Sequence, residues 1–78
     1  METTMTWTGQ AMPNAGLLYE SYYDLAEIKL DGRRIGTVLR LTDGYYKGSM
    51  DQISSGTKHS TPYAAQREVY ELWKKFRA

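Results

Sequence analysis

The stretch AEIKLDGRRIGTVLRLTDGYY, residues 26–46, decides the fold. Ala26, Ile28 and Leu30 alternate with Glu27 and Lys29, the period of a strand that buries one face. Asp31-Gly32 follows, a two-residue hairpin signal, because a type I′ turn needs positive φ at both central positions. A return strand runs from Arg33 to Thr42, and Asp43-Gly44 repeats the signal before a third strand begins at Tyr45. The expected core of the protein is therefore a three-stranded antiparallel meander within residues 17–50.

Two-residue loops at both turns would fix the register. Ile28 would face Ile35 and Ala26 would face Thr37 across the first hairpin, while Leu41 would face Tyr46 and Leu39 would face Gly48 across the second. One face then gathers Ala26, Ile28, Ile35, Leu39, Leu41, Tyr46 and Met50, the expected core. The other gathers Tyr23, Leu25, Glu27, Lys29, Arg34, Val38, Arg40, Tyr45 and Lys47. On it Lys29 opposes Arg34, a like-charge pair that is unfavourable unless solvated or neutralised by a partner.

Outward from this core the reading is coarser. In residues 1–16, Met5 and Trp7 alternate with threonines, which fits either a short fourth strand or a loose tail with Trp7 docked on the domain. Residues 51–60 read as a polar loop around Ser54-Ser55-Gly56. Residues 61–77 read as a helix: Thr61 or Ser60 caps it, and Pro62 suits the first helical position, where no amide donor is needed. Ala65, Val69, Leu72, Trp73 and Phe76 form its apolar stripe, and Arg67–Glu71 and Glu71–Lys75 are spaced as i,i+4 pairs on the wet side. The expectation is one α+β domain spanning 1–78, an antiparallel sheet of three to four strands covered on one face by a C-terminal helix.

Composition limits the chemistry. The chain has 78 residues, 41% hydrophobic and 24% charged, with no cysteine and a single histidine, His59. That excludes a disulfide framework, a thiolate nucleophile and cysteine-ligated zinc, and leaves no expected metal or cofactor. His59-Ser60 is adjacent in sequence but lacks the orienting group and oxyanion donors of a nucleophilic site, so no catalytic residue is assigned. Gly56-Thr57-Lys58-His59-Ser60-Thr61 lacks phosphate-loop spacing, although Lys58 beside a helix start could hold a single phosphate. No stretch approaches the ~18 apolar residues of a membrane span. The N-terminus has no basic start or apolar run, and a cytoplasmic location is expected.

Charge is unevenly spread. Glu2, Glu20, Asp24 and Glu27 precede Lys29 with no base among them, whereas ten bases and five acids follow. Seven tyrosines add to this, with Tyr19, Tyr22, Tyr23, Tyr45 and Tyr46 clustered around the predicted sheet. Aromatics interleaved with cations are enriched where interfaces carry binding energy, and they also serve as ordinary strand formers. The candidate binding residues are Tyr23, Lys29, Arg33, Arg34, Arg40, Tyr45 and Lys47.

Two resemblances bear on function. The stretch Asp24–Phe76, with its hairpins and the helix entry Thr61-Pro62-Tyr63-Ala64-Ala65, resembles the three-stranded-sheet DNA-binding domains of tyrosine integrases. That resemblance implies a sheet laid in the major groove, with Arg34, Arg40, Tyr45 and Lys47 at the contact. In size and organisation the chain is also similar to the small host-takeover proteins of bacteriophages, anti-CRISPR proteins and polymerase inhibitors among them. That likeness implies a non-enzymatic inhibitor that binds a host nucleoprotein complex, such as a CRISPR effector, and blocks its nucleic-acid or subunit binding. The alternatives are a duplex DNA-binding domain using the same face, in direct contact with nucleic acid, and a homodimeric assembly protein. No membrane partner is expected, and the oligomeric state is left open.

Overall fold

In the structure, a computed structural model, residues 2–16, 20–50 and 53–76 are described. Five strands run β1 (Thr3–Trp7), β2 (Tyr22–Leu30), β3 (Arg33–Leu41), β4 (Tyr46–Met50) and β5 (Ile53–His59), followed by helix α1 (Pro62–Phe76). They form one antiparallel sheet in sequence order, the α+β meander-plus-helix architecture expected, with five strands in place of the expected three to four. The N-terminal threonine–apolar alternation is a true edge strand. The segment read as a polar loop is β5, whose Ser-Ser-Gly composition hides a strand that depends on pairing with β4. Tyr19 of the expected tyrosine cluster and residue 77, the end of the expected helix, lie outside the described residues.

The first turn has the geometry its sequence requires, with φ of 52° at Asp31 and 81° at Gly32. Leu30 faces Arg33 and Lys29 faces Arg34, as a two-residue loop dictates. The register then slips. Ile28 faces Gly36 and Ala26 faces Val38, so Ile35 is the extra residue of a β-bulge. The second turn is a three-residue loop, Thr42-Asp43-Gly44. The Gly44 amide donates to the Leu41 carbonyl, the Leu41 amide donates to the Tyr45 carbonyl, and Gly44 has a φ of 92°. A single left-handed glycine closes such a loop, and this shifts the β3–β4 register so that Val38 faces Gly48 and Leu39 faces Lys47.

The first shift exchanges the expected faces of β3 beyond the bulge, and the second returns β4 to its expected faces, with Tyr46 and Met50 on the core side. Val38, expected outside, is fully buried beside Ala26, Ile28, Leu30, Ile35, Ala65 and Val69. Leu39 and Leu41, expected in the core, stand on the opposite side of the sheet by alternation. Leu41 is still buried there, outside the helix-side cluster. The chain before β2 runs against that end: Met12 bridges Tyr22, the Ser21 carbonyl accepts the Thr42 amide, and Glu20 meets Lys47. Arg40 moves to the helix side, paired with Tyr46 and Asp24.

The helix packs where the sheet has no side chains. A Cβ on Gly48 would lie 2.7 Å from the Ala65 carbonyl oxygen and 2.8 Å from Val69 Cγ2. One on Gly36 would fall against the Ser49 carbonyl oxygen of β4 and meet Val69 Cγ1 at 2.6 Å. Thr61 caps the helix by accepting the Ala64 amide at 3.3 Å. Of the expected stripe, Ala65 and Val69 are buried, Leu72 and Trp73 are half-buried, and Phe76 is exposed. On the wet side Glu71 pairs with Lys74 at 3.6 Å and not with the i,i+4 partners expected. The sheet curls around the helix far enough for the Gln66 amide to reach β1, donating to Thr3 Oγ1 at 2.8 Å and to the Thr3 carbonyl at 3.2 Å.

Candidate binding surface

The candidate residues divide between the two ends of the sheet. Lys29, Arg33 and Arg34 surround the β2–β3 turn, with Lys29 and Arg34 paired on the face away from the helix and Arg33 beside Leu30 on the other. Tyr23 and Tyr45 lie at the opposite end, exposed by 58% and 48%. Tyr23 and Lys29 are about 20 Å apart along β2 at ~3.3 Å per residue. Arg40 shares that far end but projects on the helix side, and Lys47 is mostly covered. One continuous basic–aromatic face is not formed: the bulge at Ile35 carries Arg40 to the helix side, Arg33 lies on that side with Leu30, and the length of β2 separates Tyr23 from Lys29.

The cations differ in how they are neutralised. Lys47 and Lys58 face each other across β4 and β5, yet each has its own carboxylate. Lys47 Nζ lies 3.0 Å from Glu20 Oε1 and Lys58 Nζ lies 2.5 Å from Asp43 Oδ2. The Lys58 hydrogen bond, with the Tyr45 amide, holds the Asp43 carboxyl below the usual carboxylate range, and the same hydrogen bond raises Lys58. Lys58 is thus committed to Asp43, which weighs against the single-phosphate role at the helix start. Lys29 and Arg34 form the second like-charge cross-strand pair. Among the described residues neither they nor Arg33 make an ion pair, even with Asp31 in the turn between them.

The signs of the two shifts set a pH window for the Lys58–Asp43 bridge. Asp43 is lowered, so its stabilisation is present above the unfolded value of 3.8 and is lost as pH falls through the lower folded value. Lys58 is raised, so its part is present below 10.5 and is lost as pH rises through the higher folded value. Both groups are exposed, so the effect is small. In urea titrations the stability gap between the wild type and Asp43→Asn should be flat across neutral pH and close in acid. A gap that widened in acid would contradict the bridge.

A second feature escaped the sequence reading. His59 Nε2 and Glu68 Oε1 lie 2.5 Å apart and clamp the end of β5 to the second turn of α1. Beside them Tyr63, Arg67 and Glu71 line a shallow groove of about 700 Å³. Residues nine apart on two elements carry no common periodicity, so only the packing of α1 on β5 reveals the pair. Glu20 and Asp24, two of the acids that precede Lys29, have structural partners. Asp24 Oδ1 accepts the Gly9 and Leu25 amides, both at 2.8 Å.

Among the described residues no group of three His, Cys, Asp or Glu side chains is placed to hold a metal ion, and no helix is long and apolar enough to cross a membrane. Comparison with protein-family models, with curated proteins and with solved structures finds no match.

Proposed function

We propose that this chain is a non-enzymatic binding protein of the phage-inhibitor type, acting in the cytoplasm. In this reading it docks the Lys29–Arg33–Arg34 tip on an anionic surface of a host nucleoprotein complex and occludes nucleic-acid or subunit binding there. The carrying observation is the contrast between the two like-charge pairs: Lys47–Lys58 is neutralised within the fold, whereas Lys29–Arg34 with Arg33 makes no ion pair among the described residues. Uncompensated charges on a stiff two-residue turn are unfavourable in the free protein and become favourable against a negative partner. Adjacent guanidinium groups supply fork-shaped donors for carboxylates or phosphates.

The test titrates a panel of purified RNA-guided effector complexes with the protein and follows their binding of target DNA. The wild type should block one of them at about stoichiometric amounts. Arg33→Glu with Arg34→Glu should weaken the block at least ~100-fold, since hydrogen bonds to charged groups contribute ~1.5–3 kcal/mol each. The absence of any block by the wild type would overturn the reading. Tight binding of naked duplex that collapses between ~50 and ~200 mM salt would replace it with the DNA-binding one.

A further inference from the structure

The two edges of the sheet are treated differently. At β5 the register shifts between Lys47 and Ser49, so residues 55–57 bulge opposite Gly48, and Lys58 adds a charge. Bulges and lysines are the usual protection of an exposed edge. β1 has neither. Its pairing with β2 is unbroken from Thr3 to Trp7, and the segment Thr-Thr-Met-Thr-Trp carries no charge and no proline.

The direction of its backbone groups is fixed. The Thr8 amide donates to the Leu25 carbonyl at 2.9 Å, so in this antiparallel pair the even-numbered residues point at β2. Thr3, Met5 and Trp7 direct their amides and carbonyls to the free edge. The Gln66 amide on the Thr3 carbonyl agrees with this phase, and that carbonyl keeps a second lone pair.

The strand is also self-complementary. Placed antiparallel to a copy of itself about a two-fold axis through Met5, it pairs Met5 with Met5 and Thr3 with Trp7, each pair exchanging two backbone hydrogen bonds. Thr4 then faces Thr6 of the other copy in a close pair, where threonines interact favourably and no like charges meet. The half-exposed Trp7 of one copy arrives beside Thr3 of the other, next to a cavity of about 210 Å³ lined by Thr3, Tyr63, Gln66, Arg67 and Tyr70. An indole there meets two tyrosine rings and a guanidinium that has no ion pair among the described residues.

We infer that β1 is the dimerisation edge of this protein, with a second copy of the chain as its occupant. The product is a two-fold dimer with one continuous sheet, and the two arginine tips lie at opposite ends of it. One strand pair is a small interface, so the dimer is weak and forms at micromolar concentrations. The dimer does not depend on the function proposed above.

Sedimentation equilibrium of the full chain over ~1–200 µM, a range suited to a small interface, tests it. The wild type should approach twice the 9.0 kDa of one chain at the upper end. Thr4→Lys with Thr6→Lys opposes lysines across the dyad and should give monomer throughout. Thr4→Glu with Thr6→Lys opposes unlike charges across the same dyad, and each new side chain also faces an opposite charge within its own sheet, Lys29 or Glu27. It should restore the dimer. Circular dichroism shows whether each variant keeps the wild-type fold. A monomeric wild type, or a dimer indifferent to the double-lysine change, would overturn the inference. A charge-swapped variant that stays monomeric would overturn the register through Met5.

Discussion

Gly48→Ala is expected to lower the melting temperature by roughly 10–15 °C, from an overpacking cost of ~2 kcal/mol and ~4–8 °C per kcal/mol in a domain of this size. The methyl group would enter the closest approach between helix and sheet, 2.7 Å from a carbonyl oxygen of α1. A side chain could rotate away from it, but the Ala65 carbonyl moves only with the helix. Trimming Val69 should therefore fail to rescue the variant, because it relieves the contact to Cγ2 and leaves the one to the backbone. Gly36→Ala meets the Ser49 carbonyl oxygen of β4 before it meets Val69 Cγ1 at 2.6 Å, so it strains both the β3–β4 pairing and the helix contact and should cost at least as much. Thermal melts followed by circular dichroism check both, and an unchanged melting temperature for Gly48→Ala would mean that the helix does not sit over that glycine.

Val38→Asp should leave no folded protein at 25 °C, whereas Leu39→Asp should fold with a loss of about 1–3 kcal/mol, the range of ordinary half-buried substitutions. Val38 is fully buried under the helix, where a carboxylate finds no partner, and an unpaired buried charge costs more than the few kcal/mol expected for a single small core. Leu39 is half-buried on the other side, opposite Leu25 and Lys47. Its replacement stays near solvent and gains a lysine neighbour. Urea titration ranks the two. The reverse ranking would restore the unbulged register, in which Leu39 is core and Val38 is surface.

That pair of neighbours shows how far the sequence could be read. Asp31-Gly32 was legible because the turn type is dictated by φ at two adjacent residues, and the helix start was legible because Thr61-Pro62 carries its own capping chemistry. Tyr46 and Met50 of β4 lie on the core side as expected, but on β3 the core face was legible only as far as Ile35. Beyond it, the bulge and the choice between a two-residue and a three-residue loop at Asp43-Gly44 each move the register by one, and a shift of one residue exchanges the two faces of a strand. Six of the seven candidate binding residues, all but Arg33, were placed on one face by that counting, and the structure carries Arg40 to the other side.

Local sequence determined those features whose physics is local: the turns, the cap, the helical stripe through Ala65 and Val69, and the exclusion of cysteine chemistry. Tertiary structure decided what depends on distant partners. It made a strand of residues 53–59, because a polar segment gains order by pairing with β4. It placed the bulge at Ile35, where Gly36 must face Val69 for the helix to dock. It also selected which cations are neutralised and which remain free, since an ion pair such as Glu20–Lys47 joins residues far apart along the chain that only the folded sheet brings together.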